Sequence, residues 1–256
     1  MRLFHAAVLL ALTACHEDET TREETDPCGP DAIALPDGSC VVPGVPPERC
    51  AVGFEPDDAH GCRAILPPEN CPPGTMAIPG EVTCRIVADC GSPPWGDIPI
   101  DAATRFVDAS YAGGDGDGSE ARPFTTLEQA FNAAAPGALI ALAAGSYQAY
   151  FDFLGKPVRL WGRCPELVEI VGTDPAFGSL IVGGAAARGT EVHTLAVRGA
   201  GPGVLVYAST VLLDRLWIHD TGSTGISSQI YQEAADVTVE GSLVERAQLQ
   251  GIYVDG

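Results

Sequence analysis

Residues 115–147 read DGDGSEARPFTTLEQAFNAAAPGALIALAAGSY, and three signals follow one another in that run. Two Asp-Gly pairs, Asp115-Gly116 and Asp117-Gly118, mark tight turns. Thr125 is placed to cap a helix, with Glu128 as its reciprocal partner three residues on. Leu127, Ala130, Phe131 and Ala134 would form the apolar stripe of that helix, and Pro136-Gly137 would end it. Leu139 to Leu142 is then a strand-like apolar run that closes at Gly145.

Short strands recur downstream, at Val158–Trp161, Val168–Val171 and Leu180–Val182. A clearer repeat follows. Leu195, Leu216 and Leu243 begin comparable units, and each is followed eight or nine residues later by glycine and an aliphatic, Gly203-Val204, Gly225-Ile226 and Gly251-Ile252. A spacing of 21 to 27 residues suits one coil of a solenoid. Alternation turns Leu195 and Val197, or Leu216 and Ile218, inward. Glu245 falls on an inward position in the third unit, so a bulge or register shift is expected there.

The run 115–147 resembles the opening of the pectin-lyase-like right-handed β-helix superfamily. The likeness lies in its Asp-Gly loop, its Pro-Phe…Thr-Leu…Ala helix and its first strand ending in Ala-Gly-Ser-Tyr. It implies an all-β fold, a right-handed parallel β-helix over 104–256 with an N-terminal capping helix. That helix would cover the apolar end of the first coil. The sequence stops at Asp255-Gly256 just after a strand, and a bare last coil leads us to expect a fragment.

Seven cysteines lie between Cys28 and Cys90. Cys28 and Cys40, Cys50 and Cys62, and Cys71 and Cys84 each enclose eleven or twelve residues, as three degenerate repeats would. Units this small need covalent staples, so residues 28–95 are read as a small disulfide-rich module. Cys90 is then left for Cys164, a bond that would fasten module to solenoid. Zinc is the rival reading. It lacks a close Cys-x-x-Cys pair and has only His60 nearby.

Disulfides need an exporting address, and the N-terminus supplies one. Met1-Arg2 precedes a short apolar stretch that ends Leu12-Thr13-Ala14-Cys15. These four residues resemble the lipobox of bacterial lipoproteins, which implies cleavage before Cys15 and its lipidation. Residues 1–15 are thus expected to be a signal peptide and 16–27 an acidic, disordered tether. The expected location is the cell envelope, lipid-anchored, at the outer membrane or cell surface.

The chain carries 34 acidic against 14 basic residues, a net charge of −20, and Lys156 is its one lysine. Such a chain repels nucleic acid, so none is expected as a partner. The repeat alignment turns Thr194, Ala196 and Arg198, then Arg215, Trp217 and His219, then Ser242, Val244 and Arg246 outward. Arg198, His219 and Arg246 share an offset and would form a ladder with steps of about 4.8 Å. With Arg215 and an exposed Trp217 this predicts a positive, carbohydrate-binding face suited to an acidic glycan. The plainer alternative is a solvated face with Trp217 packed under a loop.

Catalysis is not the favoured expectation. Hydrolysis requires two flanking carboxylates, and Asp214 and Asp220 flank a single coil with no acidic pair evident beside them. The resemblance implies that a lyase would pair an acidic calcium site with a base such as Arg215. Asp115 and Asp117 have calcium-loop spacing, although two tight turns account for them. No cofactor is expected. The leading expectation is a displayed solenoid that binds a polysaccharide or protein. A carbohydrate-active enzyme and a structural envelope component are the alternatives. Labelled palmitate fed to the producing bacterium should enter the wild-type protein and not a Cys15→Ala variant; equal labelling of both would remove the anchor.

Overall fold

The computed structural model describes residues 28–29, 32–58, 61–149 and 152–255. The expected signal peptide, Cys15, the expected tether and His60 lie outside the described residues. The chain divides into two compact units between Arg63 and Ala64.

In the first unit, disulfides Cys28–Cys40 and Cys50–Cys62 each close a short turn. Ile33–Ala34 pairs antiparallel with Cys40–Val41 inside the first of them.

The second unit begins with a third such staple, Cys71–Cys84, beside the antiparallel pair Thr75–Met76 and Arg85–Ile86. The remainder is a parallel β-solenoid with three faces. The first sheet stacks Arg105–Val107, Leu139–Leu142, Arg159–Gly162, Thr190–His193, Thr210–Asp214 and Asp236–Glu240. The second stacks Gly145–Ala149, Val168–Gly172, Ala196–Gly199, Trp217–Thr221 and Leu243–Ala247. The third stacks Asp152–Phe153, Leu180–Gly183, Val204–Tyr207, Ile226–Gln229 and Ile252–Val254. Every pairing inside the three sheets is parallel.

Alternation decides what fills the interior. Leu160, Val192 and Leu213 of the first sheet, Ile170, Val197 and Ile218 of the second, and Val182, Val206 and Ile226 of the third form one continuous core. Each such side chain adds roughly 1.5–3 kcal/mol on full burial. The helix Leu127–Ala133 closes the near end with Leu127, Ala130 and Ala134 buried. Its cap is Thr126 with Gln129, one residue later than the Thr125–Glu128 pair the sequence suggests. The cause is Phe124, whose N–H donates to the Phe106 carbonyl at 2.9 Å and keeps the chain extended for one residue more.

The apolar run Leu139–Leu142 is buried throughout because both of its faces are covered. Ile140 and Leu142 face the main core. Leu139 and Ala141 lie under Trp95 and Ile98, which together with Phe106 form a second cluster on the outside of the solenoid. The disulfide Cys90–Cys164 fixes this covering strap to the turn between the first two sheets. Residues 64–99 therefore lie against the solenoid within one unit.

That turn is short and strained. Thr194, Arg215 and Gly241 take left-handed φ values of 48°, 52° and 52° at the same place in successive rungs. A left-handed conformation costs about 1–2 kcal/mol in a residue with a side chain. Hydrogen bonds to neighbouring rungs hold it: Thr194 N–H to Asp214 O at 3.0 Å, Arg215 N–H to Glu240 O at 2.8 Å, and Thr194 Oγ1 to Gly162 O at 2.6 Å.

Candidate functional site

The corner between the first and second sheets gathers most of the charged and aromatic side chains on the outside of the solenoid. Along the first sheet, Ala141, Trp161, His193, Asp214 and Glu240 are successive partners in one outward column. The Trp161 and His193 rings stack with centroids 4.0 Å apart. His193 places Nδ1 3.0 Å from Asp214 Oδ2 and Nε2 3.1 Å from Glu191 Oε2. Arg215 donates to Asp214 Oδ2 from Nε and Nη2 at 2.9 and 2.7 Å. Burial pushes the Asp214 carboxyl up, but the hydrogen bonds and charges of Arg215 and His193 outweigh it and hold the group below the usual range.

A second column runs beside it on the second sheet through Ala196, Trp217 and Leu243. Trp217 stacks on His219, with centroids 3.9 Å apart. His219 Nδ1 lies 2.7 Å from Asp220 Oδ2, and Nε2 lies 3.6 Å from Glu169 Oε1, the oxygen that Arg198 Nε holds at 2.7 Å. Arg246 reaches both Asp220 oxygens, at 2.7 and 3.0 Å, and Glu245 at 2.6 Å. Hydrogen bonds from Arg246 and His219 hold Asp220 well below the usual carboxylate range. Glu245 is also held low: burial opposes this, but donors from Trp217, Gly74 and Arg246 prevail.

Expectations about this face are corrected here. The third repeat is displaced by one residue, because Leu243 pairs with Trp217 and not with Leu216. Glu245 therefore faces outward opposite His219, and Val244 turns inward against the core. The irregularity begins one coil earlier, where His219 and Asp220 together oppose Arg198. Asp220 and Arg246 occupy the same left-handed bulge position in adjacent rungs, with φ of 47° and 52°. Arg198, His219 and Arg246 consequently form no ladder.

The face is also not a positive stripe, because Arg198, Arg215 and Arg246 each meet a carboxylate within 2.7 Å. Nor is Trp217 open to solvent. Its Nε1 donates to Glu245 at 2.8 Å, and Gly74 lies against its ring. Asp214 has an acidic neighbour after all, since Glu240 stands in register on the next rung.

Two clefts flank the strap. One, of about 330 Å³, lies beside Trp217 and is lined by Pro73, Thr75, Ile86, Val87, Pro165 and Glu166 among others. The other, of about 300 Å³, is lined by Trp161, Arg163, Thr194 and Arg215 together with Asp89, Asp97, Ile98 and Pro99. Arg163 donates to the Cys90 and Gly91 carbonyls at 2.9 and 3.1 Å. No carboxylate pairs with it among the described residues.

Trp161, Arg163 and His193 are absent from the sequence-derived face. The signal was available. Trp161, His193 and Asp214 each follow an inward aliphatic and directly precede the corner residue. Far from this corner, Asp115 accepts the Tyr111 hydroxyl at 2.8 Å, and Asp117 pairs with Arg122 and accepts the Ser119 N–H. Among the described residues no cluster of three or more histidine, cysteine or acidic groups is arranged for a metal ion.

Comparison of the chain with protein-family models, with curated proteins and with solved structures found no match.

The depressed carboxylates have a consequence for stability. An unfolded aspartate ionises near 3.8, so the stability lent by Asp220 is full above that pH and is lost as the pH falls below it. Asp220→Asn should therefore flatten the acid limb of the unfolding free energy below about pH 4. Urea titrations between pH 7 and pH 2.5 measure this, and limbs of equal slope would contradict it.

Proposed function

We propose that the mature chain is a lipid-anchored envelope protein whose solenoid binds an acidic glycan without turning it over. One observation carries the reading: the cleft of about 300 Å³ joins the Trp161 indole to the guanidinium groups of Arg163 and Arg215, with Asp89 and Asp97 on its other wall. That volume is at the small end of ligand sites and suits one or two sugar units. The Trp161 indole, stacked on His193 through one face, gives the cleft an apolar wall against which a sugar can rest, and a guanidinium binds a carboxylate through paired hydrogen bonds. The guanidinium of Arg215 lies over the Trp161 ring, 5.8 Å from its centroid, so both groups border the same cleft.

The lipobox-like ending at Cys15 and the disulfides support an exported, tethered protein. The likeness of residues 115–147 to pectin-lyase-like proteins supports a polysaccharide as the ligand.

A carbohydrate-active enzyme is the second reading, favoured by Asp214 and Glu240 standing in register on adjacent rungs. An acid catalyst needs a carboxyl raised toward neutrality. Asp214 is held low by Arg215 and His193 despite its partial burial, so binding is the stronger reading.

Calorimetric titration of the mature protein with uronic-acid oligosaccharides tests the proposal. Arg215→Ala and Trp161→Ala should each weaken binding about tenfold or more, the order of one lost charge-assisted pair or stacked ring. Arg215→Lys should retain part of it. Wild-type affinity in both alanine variants, or no binding by the wild type, would overturn it.

A further inference from the structure

The third sheet differs from the other two in a way that points to a second ligand. Its strands Leu180–Gly183, Val204–Tyr207, Ile226–Gln229 and Ile252–Val254 contain no acidic or basic residue. The first and second sheets place arginine, histidine, aspartate or glutamate in most of their strands. In a chain of net charge −20, four successive strands without a charge form a distinct surface.

That face is aromatic and amide-bearing. Register places Gly183, Tyr207 and Gln229 in one outward column and Leu205, Ser227 and Tyr253 in the next. The Tyr207 ring lies flat across Gly183: a Cβ there would come within 2.2 Å of Tyr207 Cζ. Glycine thus lets the ring lie down on the sheet. Tyr231, on the turn that follows Gln229, stands edge-on to it, with centroids 5.8 Å apart and planes at 75°. Gln229 Nε2 donates to Ser227 Oγ at 3.2 Å, which orients the amide along the same surface. An ion pair between Arg188 and Glu233 holds the turn that carries Tyr231. Leu205, Tyr207, Gln229 and Tyr231 line an open hollow of about 330 Å³.

We propose that this hollow is a binding subsite for a neutral hexose unit of a polysaccharide, separate from the corner cleft. One ring lies parallel to the sheet and one stands across it. A pyranose offers a matching C–H face to stack on the first ring and an edge of hydroxyls for the Gln229 amide and the Tyr231 hydroxyl. Tyrosine suits such a platform because it loses little conformational freedom when it binds. The missing charge sets the class of sugar. No cation on these strands compensates an anionic ligand for repulsion by the rest of the molecule, whereas a neutral sugar is unaffected.

The test is calorimetric titration of the mature chain with hexasaccharides of β-1,4-glucan, α-1,4-glucan, mannan and galactan, with an oligogalacturonate as the charged control. At least one neutral hexasaccharide should bind. Tyr231→Ala, at a side chain already 62% exposed, should weaken that binding tenfold or more without lowering the melting temperature. Arg215→Ala should leave the neutral sugar unaffected. Absence of binding by all four neutral probes overturns the proposal, as does undiminished binding in Tyr231→Ala. So does binding that Arg215→Ala abolishes, because the sugar would then sit at the corner. Capture of a peptide by Tyr231 without any sugar would equally refute it.

Discussion

Hydrogen bonding between parallel rungs is the constraint on which the rest of this molecule depends. Each strand must take its register from the one before it. A residue's column is therefore set by the rung below and not by its own sequence neighbourhood. Inward columns become a continuous aliphatic core, and outward columns become lines of stacked side chains about 4.8 Å apart. Trp161, His193 and Asp214 meet only because three strands far apart in sequence share one register. The third sheet shows the same logic with different residues, for Tyr207 lies flat because the rung beneath supplies Gly183.

The corner between the first two sheets shows how such columns acquire chemistry. A left-handed residue at Thr194, Arg215 and Gly241 compresses the turn and brings two outward faces close together. Charges gathered there largely neutralise one another. Arg198, Arg215 and Arg246 are matched by Glu169, Asp214 and Asp220, and both histidines lie buried between an indole and carboxylates. Exposed ion pairs of this kind add little stability individually. Their effect is to orient Trp161 and Trp217. Arg163, hydrogen-bonded to the Cys90 and Gly91 carbonyls, stands beside one of those indoles in a cleft that Asp89 and Asp97 also line.

The fold was legible where local signals agreed with the global plan. The helix stripe of Leu127, Ala130 and Ala134, the run Leu139–Leu142 and the glycine-aliphatic steps at Val204, Ile226 and Ile252 each mark an element that is present. Cysteine spacing pointed to the four bonds because each short loop closes on itself and leaves Cys90 and Cys164 for each other.

The candidate site was less legible, for a reason inherent to solenoids. Ala141, Trp161, His193, Asp214 and Glu240 are partners across rungs of 20, 32, 21 and 26 residues. No fixed period aligns rungs so uneven. Leu243 pairs with Trp217 and not with Leu216, so a reading that matched leucine to leucine set the third unit one residue out of phase and exchanged the faces of Glu245 and Val244. Trp217 follows the plainer alternative, packed under a loop: Gly74, far away in sequence, covers it.

The parallel register is the claim most open to a direct measurement. Interstrand nuclear Overhauser contacts in the isotope-labelled chain would read it out between residues 210–214 and 236–240. The account predicts contacts that ascend together, Thr210 with Asp236, Leu212 with Thr238 and Asp214 with Glu240. Close Hα–Hα contacts pairing Thr210 with Glu240 and Asp214 with Asp236 would show opposed strands and contradict it.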